Sequence, residues 1–111
     1  MSQIEAFCPR YQRATEIIGR RWTGAIVRAL IAGRSRFGEI AHTVPGVSDR
    51  LLSERLKELE AEGIVKRTVT PSTPVRIDYS LTDMGRALIP VVQALALWAE
   101  TYLEAAGRSS V

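Results

Sequence analysis

Apolar residues recur every three to four positions through the first half of the chain, which is the spacing of an amphipathic helix. This pattern predicts a helix over residues 9–18, a second from Trp22 to a stop at Gly33, and a short third after Ser35. The third helix should end before the turn at 44–47, which contains proline and glycine. The first half of the chain is therefore predicted to form three short helices.

The most clearly delimited helix follows this turn. Ser48 is a good N-cap, and Gly63 comes directly after the last expected turn. Three leucines between them lie at i, i+4 and i+7, on one helical face. These are Leu52, Leu56 and Leu59. We therefore predict an amphipathic helix over residues 49–62.

Beyond this helix the apolar positions alternate and β-branched residues become frequent, which predicts a β-hairpin over about 64–81. Its loop, 71–74, is too long and too rich in proline for a two-residue turn, so it should project as an arm. Thr82 then caps a helix that we expect to run to about Ala105, with a kink at Pro90.

Two short helices joined by a tight turn and followed by a two-stranded ribbon form a winged helix-turn-helix. We predict one α+β, mainly helical domain over residues 1–111. Its helix-turn-helix covers about 35–62, its wing about 64–81, and its terminal dimerisation helix about 82–105. In this architecture the second helix of the helix-turn-helix enters the major groove of DNA.

The face opposite the leucines carries the side chains that would reach base edges. They are Ser48, Arg50, Ser53, Glu54 and Lys57. Arginine can pair bidentately with guanine, and glutamate can accept a hydrogen bond from cytosine. The alternative is an ordinary solvated helix face. Three acids, Glu58, Glu60 and Glu62, should keep the second half of the helix away from phosphates, so only its first half is predicted to dock.

Further DNA contacts are expected on both sides of this helix. Ser35 and Arg36 could bind phosphate through the start of the third helix. Arg76, near the tip of the second wing strand, could reach a phosphate or the minor groove, with Lys66 and Arg67 as weaker candidates. The alternative for the wing residues is a solubilising charge on an edge strand.

Composition agrees with a polyanionic partner. The formal charge is +3, and residues 10–36 carry seven arginines against the single acid Glu16. One cysteine and one histidine are too few for a structural zinc site, so we expect no metal and no other cofactor. We see no nucleophile with a base and no phosphate-binding glycine loop, and therefore expect no enzyme activity. The absence of a signal peptide and of a membrane-length apolar run predicts a cytoplasmic protein without a membrane partner.

The chain also resembles the HxlR-type regulators, a branch of the bacterial winged-helix proteins related to MarR regulators. The matching segments occur in order along nearly the whole chain: Cys8-Pro9, Ile18–Thr23, Arg36–Ile40, Pro45–Leu52, Arg55–Glu60, Gly63–Val65 and Tyr79–Gly85. A departure is Arg20-Arg21, where the family often has Gly-Lys. The resemblance implies a homodimer, held by its terminal helices, that binds a palindromic operator and represses or activates nearby genes.

An apolar stripe on the terminal helix supports a dimer independently. It consists of Leu88, Val91, Val92, Leu95, Trp98, Ala99 and Tyr102. This is more apolar surface than one small core can use, and the alternative is packing across the helix's own domain.

Cys8 is a candidate redox sensor. It precedes a helix start, and Arg10 and Arg13 follow, so the helix dipole and these cations favour a reactive thiolate. The resemblance points the same way, because some regulators of this type sense oxidants, quinones or aldehydes through a cysteine near this point. The alternative is an inert, buried thiol. The main rival to a regulator is a winged helix that binds proteins and not DNA.

Overall fold

The computed structural model describes residues 4–104. Its elements in chain order are α1 (Pro9–Ile18), α2 (Thr23–Ile31), α3 (Phe37–Thr43), α4 (Asp49–Ala61), β1 (Val65–Thr70), β2 (Arg76–Leu81), α5 (Asp83–Arg86) and α6 (Ile89–Tyr102). The predicted α+β, mainly helical winged fold is confirmed.

The core forms where α2, α3 and α4 meet the inner end of the wing. Its most buried large side chains are Ile26, Ile40, Leu52, Leu56 and Leu59. Burying each such side chain stabilises the fold by about 1.5–3 kcal/mol. The leucine face of α4 is therefore committed to the core, and this fixes which face of α4 points outward.

The wing is a two-stranded antiparallel sheet whose inner end is anchored in the core. Val65 lies opposite Leu81 at this end, and both side chains are buried. The backbone N–H of Tyr79 donates to the carbonyl of Ser35 at 2.8 Å, which ties β2 to the chain just before α3. The rest of β1 is exposed, as expected of a projecting arm.

The prediction of a single helix after Thr82 is wrong in one respect, because this segment forms two separate helices. The short helix α5 ends at Arg86, and α6 begins at Ile89 with Pro90 in its first turn. Proline lacks an N–H and clashes with the carbonyl four residues earlier, so it starts a new helix here and does not kink a continuous one. The predicted end at Ala105 lies outside the described residues.

Within residues 4–104, none of the helices is long and apolar enough to cross a membrane. The same residues contain no group of three or more histidine, cysteine or acidic side chains that could hold a metal ion.

Candidate nucleic-acid interface

The start of α4 is held by its own cap. The Ser48 hydroxyl oxygen accepts from the backbone N–H of Leu51 at 3.1 Å, and Asp49 adds an acid to the first turn, where the helix dipole favours it. A hydroxyl that accepts in this way can still donate its hydrogen. Ser48 can therefore cap the helix and contact DNA at once.

The outward face of α4 carries the predicted base-reading residues. The Arg50 side chain is 90% exposed, and its Nε lies 3.4 Å from Oε2 of Glu54. Such an exposed i, i+4 pair contributes only about 0.3–0.5 kcal/mol, so DNA can compete for the guanidinium. Lys57 is also exposed, whereas Ser53 is half-buried and less accessible than the sequence suggested.

Arg55 is a residue of α4 whose burial the sequence analysis missed. It is only 8% exposed, its Nε donates to the backbone carbonyl of Arg21 at 2.9 Å, and its Nη1 lies 3.2 Å from Oε2 of Glu58. A signal existed, because Arg55 is three residues after Leu52 and thus on the leucine face. Arg55 links α4 to the joint between α1 and α2.

The start of α3 is closed by its own acid. The backbone N–H groups of Ser35 and Arg36 both donate to Oε1 of Glu39 at 3.1 Å, and these hydrogen bonds lower the pKa of Glu39. The backbone phosphate contact expected at this helix start thus has its donors already in use. Glu39 occupies the third helical position, the usual place for such a carboxylate. The Arg36 side chain stays a predicted contact.

The structure brings three predicted DNA-contacting residues together around Asp78, which the sequence analysis did not single out. Arg76 Nε donates to Oδ2 of Asp78 at 2.9 Å, and Ser35 Oγ donates to Oδ1 at 3.3 Å. Arg36 Nε lies 3.6 Å from the same Oδ1. The hydrogen bond from Arg76 is the main cause that lowers the pKa of Asp78. We call these four residues the wing cluster.

The two other wing candidates differ in direction. Lys66 pairs across the sheet with Ser80, and Arg67 pairs with Tyr79. Neighbouring strand residues point to opposite faces, so Lys66 shares the face of Arg76 and Arg67 lies on the other. Lys66 is therefore the better placed of the two.

The predicted dimer stripe is divided between two environments. Leu88, Val92 and Ala99 are half-buried and line a groove between α2 and α6 within the same chain. The other four members, Val91, Leu95, Trp98 and Tyr102, are exposed, although Val91 and Leu95 also line this groove. Part of the stripe thus packs on its own domain, as the alternative interpretation had it, and the remainder is free to meet a partner.

Cys8 lies immediately before α1 and is partly buried as a free thiol. The exposed aromatic side chains of Phe7 and Tyr11 are close to it along the chain. Arg13, one of the cations expected to favour a thiolate, forms an ion pair with Glu62 at the end of α4. Its guanidinium is therefore engaged with α4.

A second ion pair joins α1 and α4. Arg20, just after α1, has its Nη1 3.4 Å from Oε2 of Glu58. Glu58 and Glu62 are two of the three acids that appeared to keep the second half of α4 away from DNA. They pair with arginines from the α1 side of the molecule.

A winged helix-turn-helix whose second helix exposes Arg50 and Lys57 is the architecture of a DNA-binding transcription regulator. The chain belongs to the HxlR-like helix-turn-helix family, whose sequence model matches residues 17–107. The resemblance drawn from the sequence motifs is thereby confirmed.

Individual relatives agree. The chain is 51% identical over 104 residues to the HTH-type transcriptional regulator YvaP of Bacillus subtilis, covering 94% of this chain and 95% of YvaP. It is 45% identical over 97 residues to YodB of the same species, covering 87% of each chain. Both relatives are HTH-type transcriptional regulators.

Solved structures show the same fold. Reduced YodB from B. subtilis has a TM-score of 0.78 at 45% identity, covering 88% of this chain and 96% of that one. The oxidised redox regulator HypR has a TM-score of 0.81 at 37% identity, covering 88% of this chain and all of that one. YodB has also been solved after diamide treatment and with bound quinone.

Proposed function

We propose that the protein is a homodimeric transcription regulator that binds a palindromic operator and represses nearby genes until an oxidant or electrophile modifies Cys8. The observation that carries the DNA-binding part is the orientation of α4, which buries its leucines and exposes Arg50 and Lys57. A regulator of chromosomal DNA acts in the cytoplasm, which is where the proposal places it.

The charges of α4 support docking through its first half. Arg50 is exposed in the first turn of the helix, and Glu58 and Glu62 at its other end are paired with Arg20 and Arg13. Lys66 and Arg76 add cations on one face of the wing. An α4 contact in the major groove with a wing contact on the backbone is the expected docking geometry.

The exposed part of the α6 stripe supports a homodimer. Val91, Leu95, Trp98 and Tyr102 recur at helical spacing, so they form one exposed apolar face. A second copy would cover this face and set two α4 helices about 34 Å apart, one turn of DNA.

Two observations support a response at Cys8. The similar regulator YodB has been solved with quinone and after diamide treatment. In this chain α1 begins directly after Cys8, and two ion pairs connect Arg13 of α1 and Arg20, two residues after α1, to the end of α4. A modification of Cys8 that displaces α1 would therefore also shift α4, the helix proposed to enter the major groove.

Footprinting on DNA upstream of the protein's own gene tests the DNA-binding part. We expect salt-sensitive protection of a palindrome, and Arg50→Ala should lower affinity at least about fivefold, as loss of one guanine contact does. Arg10→Ala is the matched control, because it removes the same charge from an exposed position of α1 outside the predicted interface. Equal binding by wild type and Arg50→Ala would contradict the assignment, and no binding to any such DNA would favour a protein-interaction module.

Titration with diamide or a quinone tests the response. Operator affinity should fall when Cys8 is modified, and Cys8→Ser should bind the operator normally but no longer respond. With one cysteine per chain, the products are an adduct, a sulfenic acid, or a disulfide to another thiol, which mass spectrometry distinguishes. Unchanged affinity of a fully modified protein would refute a sensing role.

A further inference from the structure

Asp78 occupies the centre of the wing cluster in a way that its sequence position does not reveal. Its Oδ2 accepts a hydrogen bond from Arg76. Its Oδ1 accepts a hydrogen bond from Ser35 and forms an ion pair with Arg36. Arg76 belongs to the wing, whereas Ser35 and Arg36 directly precede α3. One carboxylate therefore connects the two elements that flank α4 in the predicted interface.

The carboxylate of the wing cluster is more buried than the two arginines around it. The Asp78 side chain is 24% exposed, whereas those of Arg36 and Arg76 are 49% and 53% exposed. Both arginines use Nε toward Asp78, and within residues 4–104 their terminal nitrogens have no hydrogen-bond partner. Arg76 is hydrogen-bonded through Nε and Arg36 lies at ion-pair distance through Nε, so the terminal N–H groups of both stay available to a phosphate oxygen pair.

The backbone holds this arrangement in place. The hydrogen bond from Tyr79 N–H to the Ser35 carbonyl is 2.8 Å long and joins the neighbour of Asp78 to the neighbour of Arg36. The Asp78 carboxylate is charged at neutral pH, because its hydrogen bond from Arg76 holds its pKa below the ordinary value of 3.8. The two guanidinium groups thus leave the cluster with a net charge of +1, from two arginines and one aspartate.

We infer that Asp78 is a positioning residue for DNA binding, which orients the guanidinium groups of Arg36 and Arg76 onto one stretch of phosphate backbone. Free arginine side chains lose considerable rotamer entropy when they bind, and a preformed arrangement reduces that loss. This role rests on the proposed DNA-binding function. It means that an acidic residue, Asp78, assists binding to the negatively charged DNA.

The sign of the effect separates this role from simple electrostatics. An acid beside a phosphate repels it, so removal of the charge alone would tighten DNA binding. A positioning role requires the reverse. Asp78→Asn keeps the size of the side chain and removes its charge, so it decides between the two.

The experiment measures operator affinity over a range of salt concentrations for wild type and Asp78→Asn, with hydroxyl-radical footprints. We expect Asp78→Asn to lose about three- to tenfold in affinity, the cost of ordering one or two side chains. The slope of log affinity against log salt should become shallower by about 1, and backbone protection by the wing should be lost. Asp78→Glu should recover part of the affinity. Asp83→Asn, the same change at a fully exposed acid just after the wing, is the control and should bind like wild type.

A double-mutant cycle excludes a merely structural role. In a protein that already carries Arg36→Gln and Arg76→Gln, Asp78→Asn should cause no further loss, because the groups it orients are gone. An additive loss would overturn the inference, as would tighter or unchanged binding by Asp78→Asn alone. If wild type binds and Asp78→Asn binds equally well, only the positioning role fails. If wild type binds no operator, the proposed function fails and this role with it.

Discussion

Arg55 Nε in α4 donates to the backbone carbonyl of Arg21 across 2.9 Å, and this hydrogen bond joins α4 to the segment between α1 and α2. The next residue, Trp22, adopts a left-handed backbone with a φ of 76°. A bulky residue in that region costs about 1–2 kcal/mol, so surrounding contacts must hold it there. Arg55 provides one such contact.

We expect Arg55→Ala to lower the free energy of unfolding by about 2 kcal/mol, because it removes a partly buried hydrogen bond from a charged donor. Lys57→Ala, on the exposed face of the same helix, should change it by less than about 0.5 kcal/mol. Urea unfolding at one fixed protein concentration measures both, since subunit association adds to apparent stability. Equal values for the two variants would show that the Arg55 contact contributes little.

Gly46 lies close to the indole ring of Trp22. Its φ is +97°, and a Cβ built on it would lie 3.1 Å from Cη2 of the indole. Gly46→Ala should therefore destabilise the protein by at least about 1–2 kcal/mol, the cost of a left-handed backbone for a residue other than glycine.

Gly38→Ala is the matched control. Gly38 lies within α3, and a Cβ there meets nothing within 4 Å. Alanine should raise stability at this site by up to about 1 kcal/mol, because it restricts the unfolded chain and favours the helix. The midpoint of thermal unfolding should fall for Gly46→Ala and rise for Gly38→Ala. A lower midpoint for both variants would contradict the specific role of Gly46.

The elements that the sequence predicted well are those whose ends carry local signals. The bounds of α1 follow from Pro9 and Gly19, and α4 begins where Ser48 caps it. Local hydrogen bonds and backbone preferences decide such ends, so nearby residues suffice to find them. The leucine face of α4 was equally accessible, because helical periodicity determines it.

The parts that the sequence did not reveal depend on residues far apart in the chain. The partner of the buried Arg55 is a carbonyl 34 residues away, and Asp78 accepts a hydrogen bond from Ser35, 43 residues away. No local pattern encodes such pairs. The division of the α6 stripe is similar, since the half-burial of Leu88 and Val92 depends on the rest of the domain that packs against them.

The lowered pKa of Glu39 predicts acid sensitivity. Hydrogen bonds from the backbone of Arg36 and Ser35 hold it below the ordinary value of 4.5. A carboxyl group with a depressed pKa in the folded state stabilises that state above its unfolded pKa. This contribution should be complete at neutral pH and be lost as the pH falls below 4.5, through the folded-state pKa.

Glu39→Gln tests this, because the amide imitates the protonated acid. Wild type should be the more stable protein at pH 7, and the difference in the free energy of unfolding should shrink as the pH falls below 4.5. Asp78, whose pKa is also lowered, is present in both proteins and leaves an acid slope in each. A difference that stays constant from pH 7 to pH 3 would contradict the assigned role.

The exposed half of the α6 stripe predicts that one substitution can separate the subunits. Leu95 is 58% exposed in the chain alone and lies between Val91 and Trp98 on the same face. Leu95→Glu would bury an unpaired carboxylate if a second copy covered this face, at a cost of several kcal/mol. We expect wild type to sediment as a dimer at micromolar concentration and Leu95→Glu as a monomer.

Gln93→Glu provides the control, because it adds the same charge to an exposed polar position of α6 away from this face. It should leave the dimer intact. A dimer holds two recognition helices on one operator, so the Leu95→Glu monomer should also lose affinity for a full palindrome while keeping its affinity for a half-site. A wild-type monomer at micromolar concentration would contradict the dimer, and a Leu95→Glu dimer would place the interface on another surface.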